Sequence, residues 1–137
     1  MEHKIIIETV ITTDDIVNLL AMEGGGFDYW AEICWDENDY EAARLRLVDR
    51  MTKEKKNPED ICYEDVCAEI LEHGGILKVY DREDDEDYDL PLSSLLNGFR
   101  DYMKLVASDG RTGIDDMDGE AADQILQFAV FNEVIYG

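Results

Sequence analysis

Basic residues are what this chain most conspicuously lacks: 12 lysines and arginines stand against 34 aspartates and glutamates, a formal charge of -22 over 137 residues. Phosphate contacts need lysine and arginine, so direct binding to nucleic acid or to an anionic membrane is not expected. Repulsion at this charge density works against the compact state and is relieved by salt or by a basic partner. Histidine occurs only at His3 and His73, which leaves few general bases. With two prolines and an apolar share of 45%, the whole chain should not be disordered. Cys34, Cys62 and Cys67 cannot all pair, so the expectation is free thiols in a reducing compartment. No apolar run approaches the ~18 residues of a membrane span, and the N-terminus lacks the long apolar stretch of a secretion signal. The expected location is therefore cytoplasmic.

What is present reads as one α+β domain over residues 1–137: a small mixed or antiparallel sheet with a central hairpin, packed against four or five helices. The chain is organised around residues 63–103, a helix, a Gly74-Gly75 break, a strand, an acidic turn, a strand and a Pro91-led helix. Ile76, Lys78 and Tyr80 alternate with Leu77, Val79 and Asp81, and Tyr88 and Leu90 resume the pattern. Pro91 suits a first helical turn because its missing N–H costs nothing there. Leu92, Leu95, Leu96, Phe99, Met103 and Val106 recur at helical spacing. Gly98 within that stripe weakens the helix by about 1 kcal/mol unless it permits a close crossing.

Earlier in the chain, Ile5-Ile6-Ile7 with Val10 and Ile11 reads as a strand, or as an apolar segment leading into a helix. Thr12 followed by Asp14 and Asp15 marks a helix start, with Ile16, Leu19 and Leu20 inside and Gly24-Gly25-Gly26 as its stop. No Lys-Ser or Lys-Thr follows these glycines, so they read as a turn and not a phosphate loop. Tyr29, Ala31, Ile33 and Trp35 alternate as a strand, with a short helix as the alternative. Residues 38–51 read as a helix with Tyr40, Ala43, Leu47 and Val48 inside. Arg44, Arg46, Arg50, Lys53, Lys55 and Lys56 form the one basic region, which leads into a flexible linker around residues 50–60. It reads as a solvated tip, or as a patch that docks on acidic surface of this chain or of a second copy. The next helix, ending at His73, has Cys62, Val66 and Ile70 on its inner face and sets Glu69 beside His73. The last helix runs from Glu120 to about Tyr136 and is apolar enough to be central or to face a second subunit.

Sites for chemistry are thin. His73 lacks a second histidine or cysteine at metal-ligand spacing. The cluster Asp115, Asp116, Asp118 resembles a calcium loop, but a glycine at its sixth position cannot be aligned with ligands at its first and twelfth. Asp118 reads instead as a helix cap. The carboxylates are many but lie in turns, and no Ser-His-Asp or Cys-His arrangement is suggested. The expectation is no enzyme, no cofactor and no metal.

The segments Glu23-Gly24-Gly25-Gly26-Phe27-Asp28-Tyr29-Trp30, His73-Gly74-Gly75-Ile76-Leu77, Glu120-Ala121-Ala122-Asp123-Gln124-Ile125 and Phe131-Asn132-Glu133-Val134-Ile135-Tyr136-Gly137 resemble small acidic proteins carried by bacteriophages and prophages of Gram-positive gut bacteria. The likeness covers most of the chain apart from residues 50–60, and it brings no catalytic residue with it. It implies a protein made inside a bacterial host cell. It also implies an inhibitor of host defence, a class that includes anti-CRISPR proteins and DNA mimics. The residues themselves point to a basic, nucleic-acid-binding partner met by Asp81, Glu83, Asp84, Asp85, Glu86, Asp87 and Asp89, with Asp115, Asp116 and Asp118 as a second rank. Trp30 and Trp35 are the candidate aromatic anchors. The alternative is a structural or accessory phage protein that self-associates as a homodimer, its acidity serving only solubility.

Overall fold

Local signals in the sequence fix most of the element ends. The computed structural model describes residues 1–6, 8–107 and 117–137. Its helices are α1 (Thr13–Ala21), α2 (Glu37–Lys53), α3 (Tyr63–Glu72), α4 (Leu92–Ala107) and α5 (Gly119–Phe131), and its strands β1 (Ala31–Cys34), β2 (Ile76–Asp81) and β3 (Glu86–Pro91). The Thr12 hydroxyl accepts from the Asp15 N–H at 3.2 Å while the Asp15 carboxylate accepts from the Thr12 N–H at 2.8 Å, a reciprocal cap that starts α1. Asp36 caps α2 and Asp118 caps α5 in the same one-sided way, each carboxylate accepting backbone N–H groups of the first turn.

The three strands form one antiparallel sheet in the order β1-β2-β3, so the fold is α+β. Ala31, Ile33, Leu77, Val79 and Leu90 are buried on its inner face. Its outer face aligns Glu32, Tyr80 and Asp87 in one row and Cys34, Lys78 and Asp89 in the next. α1 and α2 pack on α3, and α4 packs along α5.

Two glycine sites make this packing possible. A Cβ on Gly98 would lie 2.4 Å from the Ile125 carbonyl oxygen and 2.9 Å from the Ala129 Cβ, so the α4–α5 crossing requires glycine. A Cβ on Gly119 would lie 2.4 Å from the Gly25 carbonyl oxygen, so the glycine run after α1 doubles as the seat for the start of α5. The run itself forms a π-helical turn, Glu23–Phe27.

Several expectations need correcting. Among the described residues no strand forms at the N-terminus, where Ile5 and Ile6 are 84% and 94% exposed. The aromatic stretch is a strand only over Ala31–Cys34, with Tyr29 and Trp35 outside it. Cys62 caps α3 and is exposed instead of lying on its inner face. Pro91 closes β3, one residue before the helix, and Leu96 is exposed. The linker is mostly structured: residues 50–53 are the last turn of α2, and Pro58–Asp60 is a 3-10 turn. The last helix ends at Phe131, where Asn132 takes the left-handed conformation (φ 63) and turns the chain back.

Substituting Gly98→Ala tests the crossing. Helix propensity alone would raise stability by about 1 kcal/mol. The contacts at the α4–α5 seam should instead lower it by ~1–3 kcal/mol in urea unfolding.

Candidate functional site

The acidic hairpin is shaped by phenols. Its turn is Arg82-Glu83-Asp84-Asp85, and Glu86, Asp87 and Asp89 belong to β3. The Asp85 N–H donates to the Asp81 carbonyl at 2.9 Å, and Asp85 itself sits at φ 57, a conformation aspartate tolerates. Asp84 accepts from the Glu86 N–H at 3.0 Å and from the Tyr88 hydroxyl at 2.6 Å. Tyr80 donates its hydroxyl to Asp85. The bond to Asp84, then burial, pushes the Tyr88 phenol up to about 12, and the bond to Asp85 raises Tyr80.

The one cation of the turn is drawn away from it. Arg82 donates its N–H to the Trp30 carbonyl at 2.6 Å and its Nε to the Asp28 carbonyl at 3.1 Å, and its Nη1 lies 3.7 Å from Glu32. Lys78 pairs with Asp89 across the strands. Among the described residues no lysine or arginine pairs with Glu83, Asp84, Asp85, Glu86 or Asp87, and all five are exposed.

Not every expected site residue joins this surface. Asp81 is fully buried, accepting from the Tyr136 hydroxyl at 2.7 Å and from the Glu83 N–H at 2.9 Å, so it supports the turn from beneath and cannot meet a partner. Asp118 stays exposed while one oxygen of its carboxylate accepts from the Ala121 N–H at 2.8 Å to cap α5. Asp115 and Asp116 lie outside the described residues. Trp30 is fully buried against Phe131 and Tyr136, with ring centroids 5.3 and 5.4 Å away, so it is no surface anchor. Trp35 is half-buried, stacked on Tyr40 at 4.9 Å.

Beneath the hairpin lies a polar knot that sequence spacing does not reveal. Asp123 accepts from the Trp30 Nε1 at 2.7 Å, the Tyr29 hydroxyl at 2.7 Å and the Gln127 Nε2 at 2.9 Å. The spacing of four between Asp123 and Gln127 was the only local signal for it. Burial, then the bond to Asp123, raises the Tyr29 phenol well above its usual range.

The remaining ionisable features are structural. Glu69, 7% exposed, accepts from Arg46 Nε at 3.2 Å and Arg50 Nη2 at 3.1 Å. Part of the basic patch thus docks within the chain, on one buried glutamate of α3, and the expected Glu69–His73 side-chain pair does not form. Elsewhere in the patch, Arg44, Lys53 and Lys56 pair with Glu41, Asp49 and Glu54. A cleft of about 200 Å³ opens beside Arg46, bordered by Asp39, His73, Gly74 and Gly75. Burial pushes the Cys67 thiol up to about 12, and the Cys34 and Cys62 thiols are also raised, Cys34 by burial and Cys62 by Glu64. None of the three is poised as a thiolate near neutral pH. Among the described residues no group of three His, Cys, Asp or Glu is arranged to hold a metal ion, and no helix is long and apolar enough to cross a membrane.

Removing the centre of the knot should be costly. Asp123→Ala leaves the Trp30 N–H buried without its acceptor, which should lower stability by ~1–3 kcal/mol and alter the tryptophan emission. The phenols give a second readout. Tyr29, Tyr40, Tyr63, Tyr80, Tyr88 and Tyr136 have raised pKa values, so the neutral form is the one the fold favours. Their contribution is complete below the unfolded value of about 10 and is lost as pH rises through the folded values. Phenolate absorbance should therefore rise later in the native protein than in guanidinium, and stability should fall above pH ~10. Searches against family models, curated proteins and solved structures returned no match to this chain.

Proposed function

We propose that this protein binds and inhibits a nucleic-acid-binding protein of a bacterial host by occupying its phosphate-binding surface with the acidic hairpin. The observation that carries this reading is the consecutive run Glu83, Asp84, Asp85, Glu86 and Asp87: exposed, unneutralised by any cation among the described residues, and partly fixed in place by Tyr80 and Tyr88. Asp89 and Glu32 extend it over the open sheet face, although each is close to one basic side chain. Duplex DNA carries a charge about every 1.7 Å of axis, so a decoy needs many carboxylates on an ordered support. The resemblance to phage and prophage proteins supports an intracellular, anti-defence setting of the anti-CRISPR kind.

Electrostatic association of this type is fast and steered, and salt weakens it steeply. With Trp30 buried and Trp35 stacked against Tyr40, the two tryptophans add little salt-resistant contact to the complex. A second reading, self-association as an accessory phage protein, has one observation in its favour: Ile5, Ile6 and Val10 are exposed near the N-terminus. Against α5 as its seam stands the burial of Ala122, Ile125 and Leu126 within the chain.

The test is capture of partners from a bacterial lysate, then competition with duplex DNA. A nucleic-acid-binding protein should be captured and displaced by DNA. The triple variant Glu83→Lys, Glu86→Lys, Asp87→Lys, which spares the carboxylates bonded to Tyr80 and Tyr88, should bind it at least ~10-fold more weakly at 150 mM salt. Unchanged binding by that variant ends the proposal for this hairpin. A stable dimer by light scattering, insensitive to salt and lost on Ile5→Asp, Ile6→Asp substitution, would favour the second reading.

A further inference from the structure

We infer that the C-terminal tail, residues 132–137, is a latch that sets the shape of the acidic turn, with Tyr136 as its positioning residue. The inference concerns the surface proposed above but describes the free protein, so it holds or fails whatever that surface binds.

One buried side chain holds the tail. Gln127 is fully buried, and its Oε1 accepts from the Ile135 and Tyr136 N–H groups at 2.8 Å each. Its Nε2 donates to the Tyr136 carbonyl at 3.1 Å and to Asp123 at 2.9 Å. The left-handed turn at Asn132 is what sends the chain back to meet it. The amide thus reads the tail's backbone much as a neighbouring strand would, and ties it to the knot that fixes Trp30.

Tyr136 carries this hold to the hairpin. Its ring lies 5.4 Å from Trp30 and 5.8 Å from Phe131, and its hydroxyl donates to one oxygen of Asp81. The other Asp81 oxygen accepts from the Glu83 N–H, the second residue of the turn. Asp81 is fully buried, so water cannot replace the Tyr136 hydroxyl unless the site opens. The chain of contacts therefore runs from Gln127 through Tyr136 and Asp81 to Glu83.

The hold is also of a releasable kind. Val134 and Ile135 remain 39% and 46% exposed, so their side chains add little apolar burial to the tail's hold. A segment fixed by a few specific hydrogen bonds and one packed ring belongs to the part of a protein that opens locally. Opening the tail would withdraw a donor from Asp81 and free the turn it supports.

Amide hydrogen exchange on the 137-residue chain tests the latch. In the unaltered protein, the Glu83 N–H should open together with the Ile135 and Tyr136 N–H groups, with protection factors within about threefold and a shared denaturant dependence. In Tyr136→Phe, which keeps the ring and removes only the hydroxyl, exchange at Glu83 should accelerate by roughly tenfold while α3 amides stay unchanged. Protection of Glu83 that differs from the tail by more than about tenfold in the unaltered protein would overturn the inference. So would unchanged Glu83 exchange in a folded Tyr136→Phe. Should that variant fail to fold, the exchange pattern of the unaltered protein decides the matter alone.

Discussion

Tyrosine hydroxyls hold carboxylates throughout this molecule, and the rest of the structure depends on that pairing. Tyr29 binds Asp123, Tyr63 binds Glu23, Tyr80 binds Asp85, Tyr88 binds Asp84 and Tyr136 binds Asp81. A phenol satisfies a carboxylate's hydrogen-bonding capacity without neutralising it, as a lysine or arginine would. The chain has too few cations to pair with its 34 acidic residues, and it spends two of them, Arg46 and Arg50, on the buried Glu69. Neutral donors order two of the exposed hairpin carboxylates, Asp84 and Asp85, and leave their charge in place.

The architecture follows from where those donors sit. Trp30 and Asp123 join the end of the glycine turn to α5, and Gln127 joins α5 to the tail. Tyr136 joins the tail to β2, and Asp81 joins β2 to the turn that follows it. Apolar burial supplies the bulk of the stabilisation, through residues such as Leu19, Leu20, Leu77, Phe99 and Leu126. The polar links decide the shape of what is presented. An ordered row of like charges is what an electrostatic decoy requires, whereas a surface that only confers solubility has no need of order.

Local chemistry was legible in the sequence, and long-range contact was not. The Thr12 cap, the 76–90 hairpin, the Asp118 cap and the close crossing at Gly98 each rest on residues within a few positions of one another, or on one residue without a side chain. The β-branched run at Ile5-Ile6 has strand propensity, yet no neighbouring strand pairs with its described residues, and propensity alone does not make a sheet. Trp30 read as a candidate aromatic anchor, but it precedes β1, and its inward direction is set by Asp123, 93 residues away. Asp81 looked like its acidic neighbours because its burial depends on Tyr136, 55 positions on. The Glu69 clamp was missed for the same reason: spacing on α3 offered His73, while the true partners lie on α2.

Thermal stability as a function of ionic strength tests most directly whether the hairpin charges are left uncompensated. The melting temperature should be measured from about 10 mM to about 300 mM sodium chloride for the natural sequence and for Glu83→Lys, Glu86→Lys, Asp87→Lys, as the Debye length falls from about 30 Å to below 10 Å. The account predicts that the melting temperature rises with salt in the natural sequence and rises distinctly less in the variant. A melting temperature that is flat or falling with salt in the natural sequence, or an equal rise in both proteins, would contradict it.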